Sequence, residues 1–148
     1  MSNNQNHGPA NMKNLSFEDL NVMIVEDDLI LTLSLELMLK RHGFRTFFRA
    51  ETGERALEIS AESVPDLLLV DIYLGEGISG VQAVKQIQKE KRIPVIYITG
   101  NSDDHNRELA TETDFVEYLI KPVTPGDIRR CIGKIWPESI TTDSNTPK

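Results

Sequence analysis

The sequence predicts an α/β domain built on a parallel sheet with helices on both faces. Three observations predict it. Short apolar runs of strand length recur at residues 22–25, 67–70, 95–98 and 118–120. Segments with helical patterning alternate with these runs. Each run also ends on a polar group: Glu26-Asp27-Asp28, Asp71, Thr99 and Lys121 in turn. A continuous apolar run is the pattern of a strand buried on both faces. Strands alternating with helices at this spacing imply parallel βα units, and right-handed crossovers leave few topologies open.

The first strand is expected at about residues 22–26. A helix follows over about 29–42, with Leu29, Leu33, Leu37 and Lys40 on one side and Leu31, Leu35, Met38 and Leu39 on another. Such broad apolar coverage predicts a helix well buried against the sheet, and Gly43 supplies the stop. Residues 44–48 form a second strand, and Thr52-Gly53 opens a helix to about 62. Pro65 precedes a third strand at 66–70. After a Gly-rich loop a helix runs over about 81–90. Pro94 marks the start of the fourth strand, and a helix over about 102–112 follows. A fifth strand spans 115–120. The last helix begins at Thr124-Pro125, where proline suits the first turn, and ends near Trp136-Pro137.

Composition bounds the function. A chain of 148 residues with 39% apolar content fits one domain with a real core. No apolar stretch approaches a membrane span, and the polar N-terminus lacks the apolar centre of a signal peptide. The single Cys131 rules out an internal disulfide and reads as packing in the last helix. These features give a cytoplasmic reading. A net charge of −7 disfavours general affinity for nucleic acid, and Lys89, Lys91 and Arg92 read as a solvated helix end. The Asn-rich start makes residues 1–19 a flexible tail, residues 20–137 the folded domain and residues 138–148 a second loose tail. The Asn14-Leu15-Ser16 sequon is incidental in a cytosolic setting.

Ligand chemistry in open α/β sheets gathers beyond the carboxyl ends of the strands. Strand ends carrying acid, acid, hydroxyl and amine therefore point to one shared pocket. Ionised carboxylates brought together repel, at roughly 4 kcal/mol for a pair ~4 Å apart at an effective dielectric of ~20. A hard divalent cation relieves that repulsion, and Mg²⁺ prefers oxygen ligands. Lys121 offers a compact positive charge and Thr99 a hydroxyl. Asp71 could then attack phosphorus as a nucleophile. Each residue taken alone has a plainer role: Asp28 as a helix N-cap as readily as a ligand, Asp71 as a loop cap, Thr99 as a β-branched strand end, Lys121 as a solvated charge. Their joint placement at successive strand ends favours one site.

At these residues the sequence resembles the receiver domains of two-component response regulators, over about residues 20–136. The segment VMIVEDD places Glu26 and Asp27 where the family has its acidic pair. LLLVD places Asp71 at the phosphoacceptor position, VIYITG places Thr99 at the conserved hydroxyl, and YLIKP gives the Lys121-Pro122 pair, commonly cis in the family. The separations, 44 residues from Asp27 to Asp71 and 22 from Thr99 to Lys121, are typical. The resemblance implies a flavodoxin-like sheet of order 2-1-3-4-5. It implies phosphotransfer to Asp71 from a phosphohistidine on a sensor histidine kinase or histidine phosphotransfer protein. Mg²⁺ would be held by Asp27, Asp71 and the backbone carbonyl of Tyr73, with Glu26 acting through a metal water. Thr99 and Lys121 would bind phosphoryl oxygens. Thr99 and Tyr118 would form a switch that reshapes the face made by the fourth helix, fifth strand and last helix, where a downstream protein binds. The receiver would catalyse only its own phosphorylation and the slow hydrolysis of its acyl phosphate.

The loop IYLGEGISG is one residue longer than the common family form and lacks its usual proline. Gly100 stands where alanine is frequent, and Tyr73 and Asn101 occupy positions that tune dephosphorylation in the family. The dozen residues after Trp136 are too few for a DNA-binding domain, so the expectation is a stand-alone receiver. A phosphatase of the haloacid-dehalogenase type would need a second Asp two residues after the first, where this chain has Tyr73. A pseudo-receiver that has lost phosphotransfer is disfavoured by the intact set of site residues. No GxxxxGK[ST] loop exists for nucleotide hydrolysis, and His7, His42 and His105 show no metal spacing.

Overall fold

The computed structural model describes residues 16–100 and 104–141. In chain order the elements are β1 (Asn21–Val25), α1 (Leu29–Lys40), β2 (Thr46–Ala50), α2 (Gly53–Glu62), β3 (Leu67–Asp71), α3 (Gly80–Glu90), β4 (Val95–Thr99), α4 (Asp104–Ala110), β5 (Glu117–Ile120), α5 (Pro125–Ile135) and α6 (Pro137–Thr141). All strand pairs are parallel, and the sheet order is β2-β1-β3-β4-β5 as expected.

Strand side chains alternate between two cores, one on each face of the sheet. Met23, Val25, Leu68, Val70, Val95 and Tyr97 pack with Val81, Val84 and Ile87 of α3 and with Ala56 and Ala110 of α2 and α4. Val22, Ile24, Leu67, Leu69, Ile96 and Ile98 pack with Leu35 and Leu39 of α1 and Ile128 and Ile132 of α5. Cys131 is buried in this second core, where burial pushes its thiol up to about 12. Helix starts are capped as their sequences dictate. The Ser79 and Thr124 hydroxyls accept from Gln82 N–H and Asp127 N–H, and the side chains of Gln82 and Asp127 accept in return from the cap residues' own N–H groups.

Three expectations need correction. The first concerns α1, which is buried on one side alone. Thr32, Leu35, Glu36 and Leu39 face the sheet, whereas Leu29, Ile30, Leu33 and Leu37 are 57%, 76%, 41% and 59% exposed. The helix lies on the sheet surface with α5 as its neighbour, and no element among the described residues covers its outer apolar stripe.

The second strand begins two residues later than expected. Phe44 belongs to the turn after Gly43, whose φ is 107°, and is buried there rather than in the ladder. The third correction concerns the ends of the body. Phe17, in a 3₁₀ turn at Phe17–Asp19, stacks on Phe44 with ring centroids 4.5 Å apart and contacts Trp136 at 5.2 Å. The last four residues of the expected N-terminal tail are therefore fixed to the core by aromatic packing. Residues 138–141, expected to be loose, continue α6. The remaining tail residues, 1–15 and 142–148, lie outside the described residues, as does the expected helical start at 102–103.

Candidate functional site

The register of the sheet assembles the rim. Val25 lies opposite Val70, which sets Glu26 level with Asp71 one step further along. Glu26 and Asp71 continue the alternation of Val22, Ile24, Leu67 and Leu69, so both side chains belong to the α1/α5 side of the sheet. Thr99 lies opposite Ile120, and the Lys121 N–H donates to the Thr99 carbonyl at 2.8 Å. The four polar strand ends thus meet at one edge. The Lys121–Pro122 peptide is cis.

Asp71 is buried and held at both oxygens. Its Oδ1 accepts from the Tyr73 N–H at 3.0 Å, and its Oδ2 accepts from Lys121 Nζ at 3.1 Å. Glu26 is equally buried. Its Oε2 accepts from the Asp28 N–H at 3.0 Å, while its Oε1 lies 3.4 Å from Lys121 Nζ and has no hydrogen-bond partner. Glu26, exposed Asp27 and Asp71 each bring a carboxylate oxygen within 4.8 Å of the others. Glu26 and Asp71 therefore share the Lys121 ammonium, with the Asp27 carboxylate beside them. Burial pushes the Glu26 carboxyl up to about 7, with the Asp71 charge adding to the rise and the Asp28 N–H and Lys121 opposing it. Burial pulls Lys121 down, but the hydrogen bond and charge of Asp71 outweigh it, with help from Glu26, and the net shift is upward.

An orphaned buried carboxylate oxygen beside two further carboxylates fits an oxygen-ligated cation. The donor set contains no nitrogen or sulfur, which suits Mg²⁺ rather than a softer metal. Asp28 is not part of the set. Its Oδ1 accepts from Ile30 N–H and Leu31 N–H, which makes it the N-cap of α1. Thr99 is fully buried at its strand end. Tyr73 contributes its backbone to Asp71, and its side chain is exposed. Tyr118 stands off the rim on β5, where the Arg107 guanidinium carbon lies 4.7 Å from its ring centroid.

Two supports of the rim were not singled out in the sequence. Gly80 starts α3 against the end of β3, and a Cβ there would overlap the Asp71 carbonyl oxygen and approach Val70 Cγ1 to 2.7 Å. The Gly-rich composition of the loop was a signal for such close approach. Glu54, on the first turn of α2, accepts from the Ile78 N–H at 3.0 Å and fixes the lengthened loop between Asp71 and α3. Gly75 and Gly77 give that loop its positive φ values of 79° and 91°. No local pattern joins Glu54 to a loop 24 residues away.

The geometry agrees with the comparisons to known proteins. Residues 22–133 match the family model of the response regulator receiver domain. The transcriptional regulatory protein AfsQ1 of Streptomyces coelicolor is 33% identical over 102 residues, covering 69% of this chain and 44% of that protein. This chain thus spans less than half the length of that relative. Among solved structures, the N-terminal domain of a response regulator/sensory box/GGDEF protein from Carboxydothermus hydrogenoformans is 30% identical with a TM-score of 0.69, covering 86% of this chain and 99% of that one. The receiver domain of the sensor histidine kinase PA1611 from Pseudomonas aeruginosa, solved with a magnesium ion in its active-site cleft, shares the fold at 24% identity and a TM-score of 0.66, covering 79% and 96%. Receiver domains are signalling phosphoacceptors, and no helix among the described residues is long and apolar enough to cross a membrane. By its sheet order, its acid rim and its match over residues 22–133, this chain belongs to the response regulator receiver domain family.

Proposed function

We propose that the protein is a phosphorelay receiver that accepts a phosphoryl group on Asp71 from a partner phosphohistidine in a Mg²⁺-dependent reaction. The single observation that carries this reading is the convergence of Asp71 with Glu26, Asp27 and Lys121 in one buried-to-exposed rim. A carboxylate oxygen of Asp71 attacks phosphorus, the P–N bond to the histidine breaks, and the imidazole leaves with the bond's electron pair. Lys121 and Thr99 bind the phosphoryl oxygens, and the Tyr73 N–H orients the nucleophile through Oδ1. Asp27, Asp71 and the Tyr73 carbonyl would hold Mg²⁺, and Glu26 would act on it through water. The ion supplies charge neutralisation for the transferring group. The chain's chemistry extends to its own phosphorylation and the slow hydrolysis of the acyl phosphate.

The exposed apolar stripe of α1 supports a seat for the phosphohistidine partner, because it begins directly after Asp27 and Asp28 at the mouth of the rim. Phosphorylation moves Thr99 and Tyr118 and changes the face formed by α4, β5 and α5, which meets a downstream protein rather than nucleic acid or membrane. The acting unit is the body of residues 16–141, placed in the cytoplasm.

The test uses phosphoramidate with Mg²⁺ on the wild type and Asp71→Asn. The expected result is an acid-stable, base-labile adduct on the wild type alone. Equal labelling of the variant removes Asp71 from the reaction. Lys121→Ala is expected to accept phosphate and to signal poorly. Ile30→Asp is expected to slow transfer from a phosphorylated histidine phosphotransfer protein while leaving labelling by phosphoramidate unchanged, which separates partner docking from chemistry.

A further inference from the structure

We propose that Arg107 is a positioning residue that latches Tyr118 and thereby sets how readily the receiver enters its phosphorylated-state conformation; this rests on the switch reading above. The geometry is specific. Tyr118 lies on the side of β5 that faces α4, partly buried against the core that contains Tyr97 and Ala110. Arg107, on the exposed side of α4, brings its guanidinium carbon over the ring at 4.7 Å, within the range of a cation–π contact. A planar guanidinium stacks on an aromatic face in a way that a lysine ammonium does not.

The neighbouring strand position is pinned in the opposite direction. Glu117 points to α5, where Arg130 grips both of its oxygens and Lys134 reaches Oε2 at 2.7 Å. The two neighbours at the start of β5 are therefore held by cations from the helices on either side. The α5 contacts are charge pairs that no movement of the Tyr118 ring would break. The α4 contact depends on the ring staying where it is. Any swing of Tyr118 away from α4 must give up the Arg107 stack, and that loss favours the resting arrangement.

An exposed cation–π contact corresponds to roughly a two- to fivefold bias in a two-state equilibrium. Arg107→Ala is therefore expected to raise the rate of labelling by phosphoramidate and Mg²⁺ about two- to fivefold, with Arg107→Lys in between. Labelling with 3-fluorotyrosine gives three ¹⁹F resonances, from Tyr73, Tyr97 and Tyr118. In the unphosphorylated Arg107→Ala protein the Tyr118 resonance is expected to move toward its phosphorylated position while that of Tyr97 stays. In a double-mutant cycle, Arg107→Ala on a Tyr118→Leu background is expected to change the rate no further. If the wild type labels on Asp71 yet Arg107→Ala leaves both the Tyr118 resonance and the rate unchanged, the latch is overturned and the phosphoacceptor reading stands. An equal Arg107→Ala effect with and without the Tyr118 ring also overturns it. If the wild type fails to label at all, the phosphoacceptor reading fails first.

Discussion

At the carboxyl rim, Glu26 and Asp71 share the Lys121 ammonium, with the Asp27 carboxylate beside them. Along β5 and α5, Glu117 and Asp127 face Arg130, and Lys134 adds a second cation. The two clusters use the same residue types and reach opposite electrostatic states. Burial raises Glu26 to about 7, whereas the Arg130 hydrogen bonds hold Glu117 down at about 2. The edge cluster balances its charges internally and ties a strand to a helix. The rim leaves negative charge and a buried oxygen unmatched. A protein retains such an imbalance where a ligand completes it, which is why perturbed groups in a cleft mark functional sites.

The largest effect that would break this contrast is at the metal set. Asp27→Asn is expected to weaken Mg²⁺ binding by at least the roughly tenfold to hundredfold that loss of even an outer-shell partner costs. Calorimetric titration with Mg²⁺, or the Mg²⁺ dependence of the phosphoramidate labelling rate, reads it. Asp127→Asn in the edge cluster is expected to leave the Mg²⁺ titration unchanged, and an equal loss there would erase the distinction.

The tightness of the rim comes next. Gly80→Ala would press a methyl group into the Asp71 carbonyl and Val70. Overpacking of this kind costs typically about 1–3 kcal/mol. Urea denaturation is expected to show that loss together with slower labelling of Asp71.

The pH dependence of the two glutamates sharpens the comparison with opposite signs. The folded pKa of Glu26 lies above its ordinary value of 4.5, so its contribution to stability is fully present below pH 4.5 and is lost as pH rises through about 7. Without metal, Glu26→Gln is therefore expected to be more stable than the wild type above pH 7, by on the order of 2 kcal/mol. Mg²⁺ is expected to shrink the gap. Glu117 behaves conversely. Its folded value lies below 4.5, so its contribution is present above that pH and is lost as pH falls through about 2. Glu117→Gln is expected to lower stability at pH 7 by less than the Glu26 effect and to flatten the acid limb of the denaturation curve. Matching slopes for the two variants would refute the contrast.

Much of this was legible along the chain. The apolar runs named the central strands because a strand buried on both faces has no polar side to hide. The polar residues closing those runs named the rim, since parallel strands bring their carboxyl ends to one edge. The readings that failed share a different cause. Leu29, Leu33 and Leu37 looked like core because hydrophobicity alone does not say which stripe of a helix has something above it. Phe44 looked like strand because a turn can bury an aromatic as well as a ladder can. Phe17 looked like tail because its partners, Phe44 and Trp136, are remote in sequence.

The sequence by itself determined the alternation of strands and helices, the helix caps and the identity of the four polar strand ends, because each depends on residues within a turn or two of one another. Tertiary structure alone decided that a buried Glu26 oxygen lacks a hydrogen-bond partner, that Glu54 pins the loop after Asp71, that Arg107 lies over Tyr118 and that one stripe of α1 faces outward. Those facts depend on distances between segments that only the closed sheet brings together, and burial and electrostatics act through distance in space rather than along the chain.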